Sequence, residues 1–111
     1  MAIQNVDYSD VNFDEMATLI GLKPKHIPML IGSFLDESVS ILKALEDAID
    51  EKDFPAIKAN AHSIKGSAGN LKFNEIYEMA KEMELSAAQS AELDYKAYFQ
   101  AVKEAIATIP N

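Results

Sequence analysis

The chain has 111 residues, 49% of them hydrophobic, which predicts one folded domain rather than a disordered chain. It has no cysteine, which excludes a disulfide framework, thiolate chemistry and a cysteine-type zinc site. Its formal net charge of −8 disfavours nucleic acid and anionic membranes as partners.

The first eleven residues lack the basic stretch and apolar run of a signal peptide, and nothing in the chain approaches the roughly 18 apolar residues of a membrane span. We therefore expect a cytoplasmic protein. Residues 1–11 are also polar and without a period, so we expect a flexible N-terminal arm ahead of a single domain at 12–110. That domain opens with a short predicted helix at 13–20, because Asn12 resembles a capping residue and Gly21 is a natural stop.

The next two helices are predicted from prolines and a cap. Proline is tolerated only in the first turn of a helix, so Pro24 and Pro28 mark a turn and then a helix start. Apolar residues keep helical spacing from there to residue 50 or 51. Asp53 is a good N-cap for the following helix, which we expect to run to about Asn70.

Two further helical patterns complete the chain. The first has its apolar stripe between Phe73 and Ala87. The second is capped by Asp94, keeps helical spacing to Ile109 and ends at Pro110. No stretch alternates strictly enough for a strand. Since the turns are short, the sequence predicts an all-α fold: an antiparallel up-down four-helix bundle with a short extra N-terminal helix.

The third predicted helix carries a histidine on its solvent face. Its buried stripe is formed by Ile57, Ala61, Ile64, Ala68 and Leu71. His62 then points into solvent, and around it at helical spacing lie Lys58, Lys65, Gly66 and Gly69. Each glycine inside a helix costs roughly 1 kcal/mol against alanine, and a solvent face gains nothing from one unless something large must come close. This pattern suits a histidine that carries a phosphoryl group and is visited by another protein.

The run HSIKGSAGNL resembles the signature of histidine-phosphotransfer (HPt) domains, in which His-x-x-Lys-Gly-Ser-Ala surrounds the phosphorylated histidine. It is also similar to the phosphoacceptor segment of chemotaxis histidine kinases. The wider helix pattern, from about residue 13 to 109, fits the family too. The resemblance implies a two-component phosphorelay in which His62, through Nε2, takes a phosphoryl group from the aspartate of a response-regulator receiver domain. A second receiver aspartate would later remove it.

The resemblance also implies partners and cofactors. The partners would be receiver domains and hybrid sensor kinases, and the protein would be a monomeric phosphocarrier. Mg²⁺ would be held by the receiver, so no metal site and no cofactor are expected here. The chain has no glycine-rich nucleotide loop of the G-x-x-x-x-G-K type, so we expect no ATP-dependent kinase activity of its own.

We also predict roles for the residues around His62 in the phosphotransfer reaction. Lys65, one turn away, is expected to stabilise the charge of the phosphoryl group. Lys58 has either that role or a role in solubility. Gly66 is predicted to leave room for a docking partner, with close helix packing as the alternative. Gly69 could serve either purpose or mark fraying of the helix end.

Three other positions complete the prediction. The family usually has a glycine directly after the leucine of the motif, where this chain has Lys72. We expect Asn70 to take the left-handed conformation of that turn instead. Glu84 falls where chemotaxis kinases have a carboxylate near the histidine, but we interpret it as a charge on the helix surface. His26 has no motif around it and is expected to be inert.

Two other classes of function stay open. The chain could be the phosphoacceptor segment of a larger sensor or chemotaxis kinase. It could also be a helical binding module that has kept the fold without phosphotransfer. The intact spacing from His62 to Lys65 and Gly66 argues against the binding module, which would have little reason to keep the exposed histidine.

Overall fold

The computed structural model describes residues 3–111, which form helices and connections without a β-strand. The helices are α1 (Phe13–Ile20), α2 (Ile27–Asp50), α3 (Phe54–Asn70), α4 (Asn74–Ala88) and α5 (Tyr95–Ala107), with a 3₁₀ helix at Pro24–His26 leading into α2. The prediction of an all-α chain with one short helix before four longer ones is confirmed. The last helix ends before the predicted Ile109, because the residue preceding a proline disfavours the helical conformation.

The four longer helices share one apolar core. α3 contacts α2 and α4, and α5 also contacts α2 and α4, which makes a helical bundle. Its largest fully buried side chains are Ile27, Ile31, Leu45, Ile57, Ile64, Phe73, Ile76, Met79, Met83 and Val102. α1 lies against the 3₁₀ helix and α2 and buries Met16 and Ala17. Every helix within residues 3–111 is too short or too polar to cross a membrane.

Three helices begin at the capping residues that the sequence predicted. The side chains of Asn12, Asp53 and Asp94 each accept a hydrogen bond from the backbone N–H three residues later, at 3.1 to 3.2 Å. Such a cap contributes about 1 kcal/mol to the stability of the helix start, because it satisfies a donor that has no partner inside the helix. The cap at Asp53 fixes where α3 begins and therefore which of its residues face solvent.

Four helices are followed within two residues by a residue with positive φ. These residues are Gly21, Lys52, Lys72 and Ser90, with φ of 83°, 54°, 63° and 51°. After α3, the N–H of Phe73 reaches back to the carbonyl of Ala68 at 3.0 Å. The prediction that Asn70 takes the left-handed conformation is wrong: Asn70 is the last residue of α3, and Lys72 is the left-handed one. The turn keeps its geometry without glycine, at a cost of roughly 1–2 kcal/mol.

The described part of the predicted N-terminal arm, residues 3–11, packs against the bundle, and its flexibility stays a prediction. Val6 and Tyr8 are half-buried, whereas their immediate neighbours are exposed, so the segment has the two-residue period of extended chain. The Tyr8 ring lies 4.8 Å from the ring of Phe73, and its hydroxyl donates to Glu75 at 2.7 Å. The first two residues of the predicted arm lie outside the described residues. A two-residue period over so few positions does not stand out from a polar sequence.

Candidate functional site

α3 turns one face to the core and the other to solvent, as the sequence predicted. On the core face, the residues that are at most 1% exposed are Ile57, Ala61, Ile64 and Ala68. The side chain of His62 is 66% exposed, in the middle of the solvent face. Lys58 and Gly66 are also exposed there, whereas Lys65 and Gly69 are half-buried towards α4. The structure therefore brings the predicted site residues together on one helix.

A carboxylate from α4 contacts two of these side chains at once. The Nδ1 of His62 donates a hydrogen bond to Glu84 Oε2 at 2.7 Å, and Lys65 Nζ lies 2.6 Å from Glu84 Oε1. The Glu84 side chain is only 13% exposed. The interpretation of Glu84 as a charge on the helix surface is therefore wrong. Glu84 lies 22 positions from His62 on another helix, so no local spacing reveals the contact. The resemblance to chemotaxis kinases was the signal that could have found it.

The charges around Glu84 compensate one another. Burial alone would raise the pKa of the Glu84 carboxyl, but the hydrogen bonds and charges of Lys65 and His62 outweigh burial and hold that pKa below its usual value. The hydrogen bond to Glu84 in turn raises the pKa of Lys65. At neutral pH, Glu84 is therefore a carboxylate and Lys65 an ammonium.

Glu84 also determines which ring nitrogen of His62 can react. A carboxylate accepts hydrogen bonds and donates none, so Nδ1 is the ring nitrogen that carries the proton. In the neutral ring, Nε2 then keeps its lone pair. The two nitrogens point to different sides of the ring, so a group bound at Nε2 would lie away from Glu84. The site therefore offers a nucleophile at one defined atom.

His62 lines a shallow, open depression of about 580 Å³ together with Pro55, Lys58, Ala59 and Glu84. Pro55 and Ala59 make part of its wall apolar. Lys58 is its one lining ammonium group. Within the part of the chain that the structure describes, the side chain of Lys58 makes no hydrogen bond and no ion pair. Its charge is therefore available to a group that enters the depression.

The two glycines of the motif have different surroundings. A Cβ atom at Gly66 would have no neighbouring atom within 4 Å, so the helix surface beside His62 is open. A Cβ atom at Gly69 would lie 3.1 Å from the ring of Tyr77 on α4. Gly69 therefore permits the close approach of α4, which supports helix packing among the roles predicted for it, and its docking role stays a prediction. The docking role of Gly66 stays a prediction.

The comparisons with known proteins bear on the family of this chain. A family model described as Hpt domain matches residues 29–111, which include nearly all of α2 and the whole of α3, α4 and α5. No curated protein and no solved structure matches the chain. The matched range contains His62, Lys65, Gly66 and Glu84, so the predicted resemblance and the observed site coincide. The chain belongs to the Hpt domain family.

Proposed function

We propose that this chain is a histidine-containing phosphotransfer protein of a two-component phosphorelay, and that His62 carries the phosphoryl group. The observation that supports the proposal is the state of the His62 ring. Its Nδ1 is hydrogen-bonded to Glu84 at 2.7 Å, while the side chain is 66% exposed. A nucleophilic nitrogen of defined identity is thus open to a partner, in a family of phosphotransfer domains.

In the proposed step, the lone pair of His62 Nε2 attacks the phosphorus of an aspartyl phosphate on a receiver domain. The N–P bond forms while the bond between phosphorus and the aspartyl oxygen breaks, and that oxygen leaves as a carboxylate with the electron pair. Nδ1 keeps its proton, so the ring becomes cationic. The Glu84 carboxylate stabilises this positive charge as it develops, since it already lies 2.7 Å from Nδ1. A second receiver aspartate takes the phosphoryl group by the reverse of this step.

The open surface at Gly66 supports a receiver domain as the docking partner, since an approaching protein surface meets no side chain there. We infer the rest of the setting from the family and the fold. Residues 12–110 would form one monomeric cytoplasmic domain, a phosphocarrier without ATP-dependent kinase activity, served by hybrid sensor kinases and receivers. The contacts among α2, α3, α4 and α5 and their short connections support an antiparallel up-down arrangement.

Incubation with a panel of phosphorylated receiver domains tests the proposal. We expect the wild-type chain to take an acid-labile, base-stable label, His62→Gln to take none, and His26→Gln to behave as wild type. His26 is a matched control because it is half-buried just before α2 and outside the depression. Labelling of His62→Gln would assign the phosphoryl group to another residue and contradict the proposal.

A second candidate is the phosphoacceptor segment of a larger chemotaxis-type kinase. The observation that favours it is the contact between Glu84 and His62, because chemotaxis kinases have a carboxylate at this place. Supplying ATP and a separate chemotaxis kinase catalytic domain separates the two candidates. Rapid labelling from that domain, with none from any phosphorylated receiver, would favour the kinase segment. Absence of labelling from both would favour a binding module.

A further inference from the structure

Phosphorylation of His62 adds a strongly negative group to this surface. A phosphoryl group carries a charge of roughly −1.5 to −2 near neutral pH, so a nearby cation stabilises it. Two lysines of α3 lie one turn from His62: Lys58 is exposed, and Lys65 is half-buried towards α4. The motif alone favours Lys65. The contacts of the two side chains distinguish them.

The ammonium group of Lys65 already has a partner, the Glu84 carboxylate, which is hydrogen-bonded to Nδ1 of the imidazole ring. Its Nζ lies 2.6 Å from Glu84 Oε1, and the other oxygen of the same carboxylate accepts the hydrogen bond from His62 Nδ1. Lys65 is therefore held on the Nδ1 side. A phosphoryl group on Nε2 would lie on the opposite side of the ring. Moving Lys65 to that group would leave the half-buried Glu84 carboxylate without its cation.

Lys58 differs from Lys65 in its place along α3 and in its contacts. It lies one turn before His62, lines the same depression and is exposed. It has no ion-pair partner among residues 3–111, so it loses no existing contact when it turns towards a new anion. Among residues 3–111, the charged side chains that line the depression are Lys58 on α3 and Glu84 on α4, and Lys65 pairs with Glu84.

We propose that Lys58 supplies the cation that faces the phosphoryl group on His62, and that Lys65 acts through Glu84 as a positioning residue. The inference rests on the proposed phosphorylation of His62. It deepens that function by giving the two lysines different tasks. Lys58 stabilises the phosphoryl charge directly, whereas Lys65 neutralises Glu84 and keeps the carboxylate aligned with Nδ1.

The first test measures how nearby charges affect the ionisation of the phosphoryl group, and it needs no protein partner. The chain is phosphorylated chemically with phosphoramidate, and the ³¹P signal of the phosphohistidine is followed as a function of pH. A nearby cation favours the dianion, so the titration midpoint of Lys58→Gln should rise by roughly 0.3 to 0.5 of a pH unit, and that of Lys58→Arg should not. Lys103→Gln on α5 removes the same charge from an exposed lysine outside the depression and should leave the midpoint unchanged.

A double variant tests the role of Lys65. Replacing both Lys65 and Glu84 with glutamine removes the ion pair without changing the net charge. If Lys65 acts through Glu84, the ³¹P midpoint of this variant should stay close to that of the wild type. A midpoint that rises as much as in Lys58→Gln would show that Lys65 faces the phosphoryl group. That result, or an unchanged midpoint in Lys58→Gln, would overturn the inference.

Transfer kinetics from a phosphorylated receiver give a second readout. Lys58→Gln should lower the limiting rate by about threefold to tenfold with little change in the half-saturating receiver concentration, and Lys58→Arg should restore the rate. Lys65→Gln should have little further effect in a Glu84→Gln background, because both act as one unit. If Lys65→Gln lowered the transfer rate as much in the Glu84→Gln background as in the wild type, the positioning role of Lys65 would be contradicted. If no receiver transfers to a chain that phosphoramidate does label, the proposed relay fails, while the ³¹P test of Lys58 still gives its own answer.

Discussion

The core face and the solvent face of α3 are built from the same 17 residues, but different requirements shape them. On the core face, Ile64 is 1% exposed, and towards α4 a Cβ atom at Gly69 would lie 3.1 Å from the Tyr77 ring, so neighbours constrain both positions. On the solvent face, His62 is 66% exposed and a Cβ atom at Gly66 would meet no other atom within 4 Å. The difference implies that substitutions on the core face change the free energy of unfolding, whereas those on the solvent face change transfer.

The largest expected effect is on stability at Ile64. Ile64→Ala should lower the free energy of unfolding by about 2–5 kcal/mol, because it leaves a cavity in a packed core. His62→Gln should change it by less than about 0.5 kcal/mol, since the ring faces water. Denaturant titrations followed by circular dichroism measure both. If both variants lost the same free energy of unfolding, the core face would not be the one that determines stability.

The next effect concerns docking at Gly66. Gly66→Gln should raise the receiver concentration for half-maximal transfer by about tenfold, equivalent to about 1.4 kcal/mol, because the added side chain occupies open surface. The limiting rate should change little. Ala107→Gln adds bulk at an exposed position on α5 and is the control. An unchanged concentration dependence for Gly66→Gln would remove the docking explanation of this glycine.

A smaller effect compares the two glycines directly. Gly66→Ala should raise the free energy of unfolding by up to about 1 kcal/mol, from helix propensity alone. Gly69→Ala should gain less, because its Cβ would lie 3.1 Å from the Tyr77 ring. In a Tyr77→Ala background, Gly69→Ala should recover the missing part of the gain. Equal gains from both glycines in the wild-type background would show that the contact with Tyr77 does not constrain Gly69.

The smallest effect is the pH dependence of the contact that Glu84 of α4 makes with His62 and Lys65 of α3. Because the pKa of Glu84 is lowered in the folded chain, its contacts add stability that is fully present above the ordinary pKa of a carboxyl. That stability, about 1 kcal/mol or less, is lost as pH falls through the lowered pKa. Unfolding titrations of wild type and Glu84→Gln between pH 7 and 3 should therefore converge at low pH. A constant difference across that range would show that Glu84 is not stabilised in its ionised form.

Local rules of the chain predicted most of the fold and the centre of the site. The caps at Asn12, Asp53 and Asp94 fixed three helix starts, because each needs only a side chain and a backbone N–H three residues apart. The helical period of Ile57, Ala61 and the rest of the stripe placed His62 on the solvent face. These predictions depend on short stretches of sequence, and the structure confirms them.

The features that the sequence did not reveal depend on distant contacts or on backbone conformation. The hydrogen bond between Glu84 and His62 depends on how α3 and α4 are aligned along their axes. The spacing of residues within one helix does not predict that alignment. The left-handed turns at Lys52, Lys72 and Ser90 lack the glycine that usually marks them. There, the hydrogen bonds that close the helix end and the packing of the next helix outweigh the unfavourable φ.

The packed N-terminal segment has a consequence for how the bundle folds and unfolds. The backbone N–H of Tyr8 donates to Thr108 Oγ1 at 2.8 Å, across 100 positions of sequence. Contacts between successive helices close short loops and can form early, whereas this contact closes nearly the whole chain. The segment should therefore dock after the folding barrier has been crossed. Its contacts with Phe73, Glu75 and Thr108 should then slow unfolding and leave the folding rate nearly unchanged.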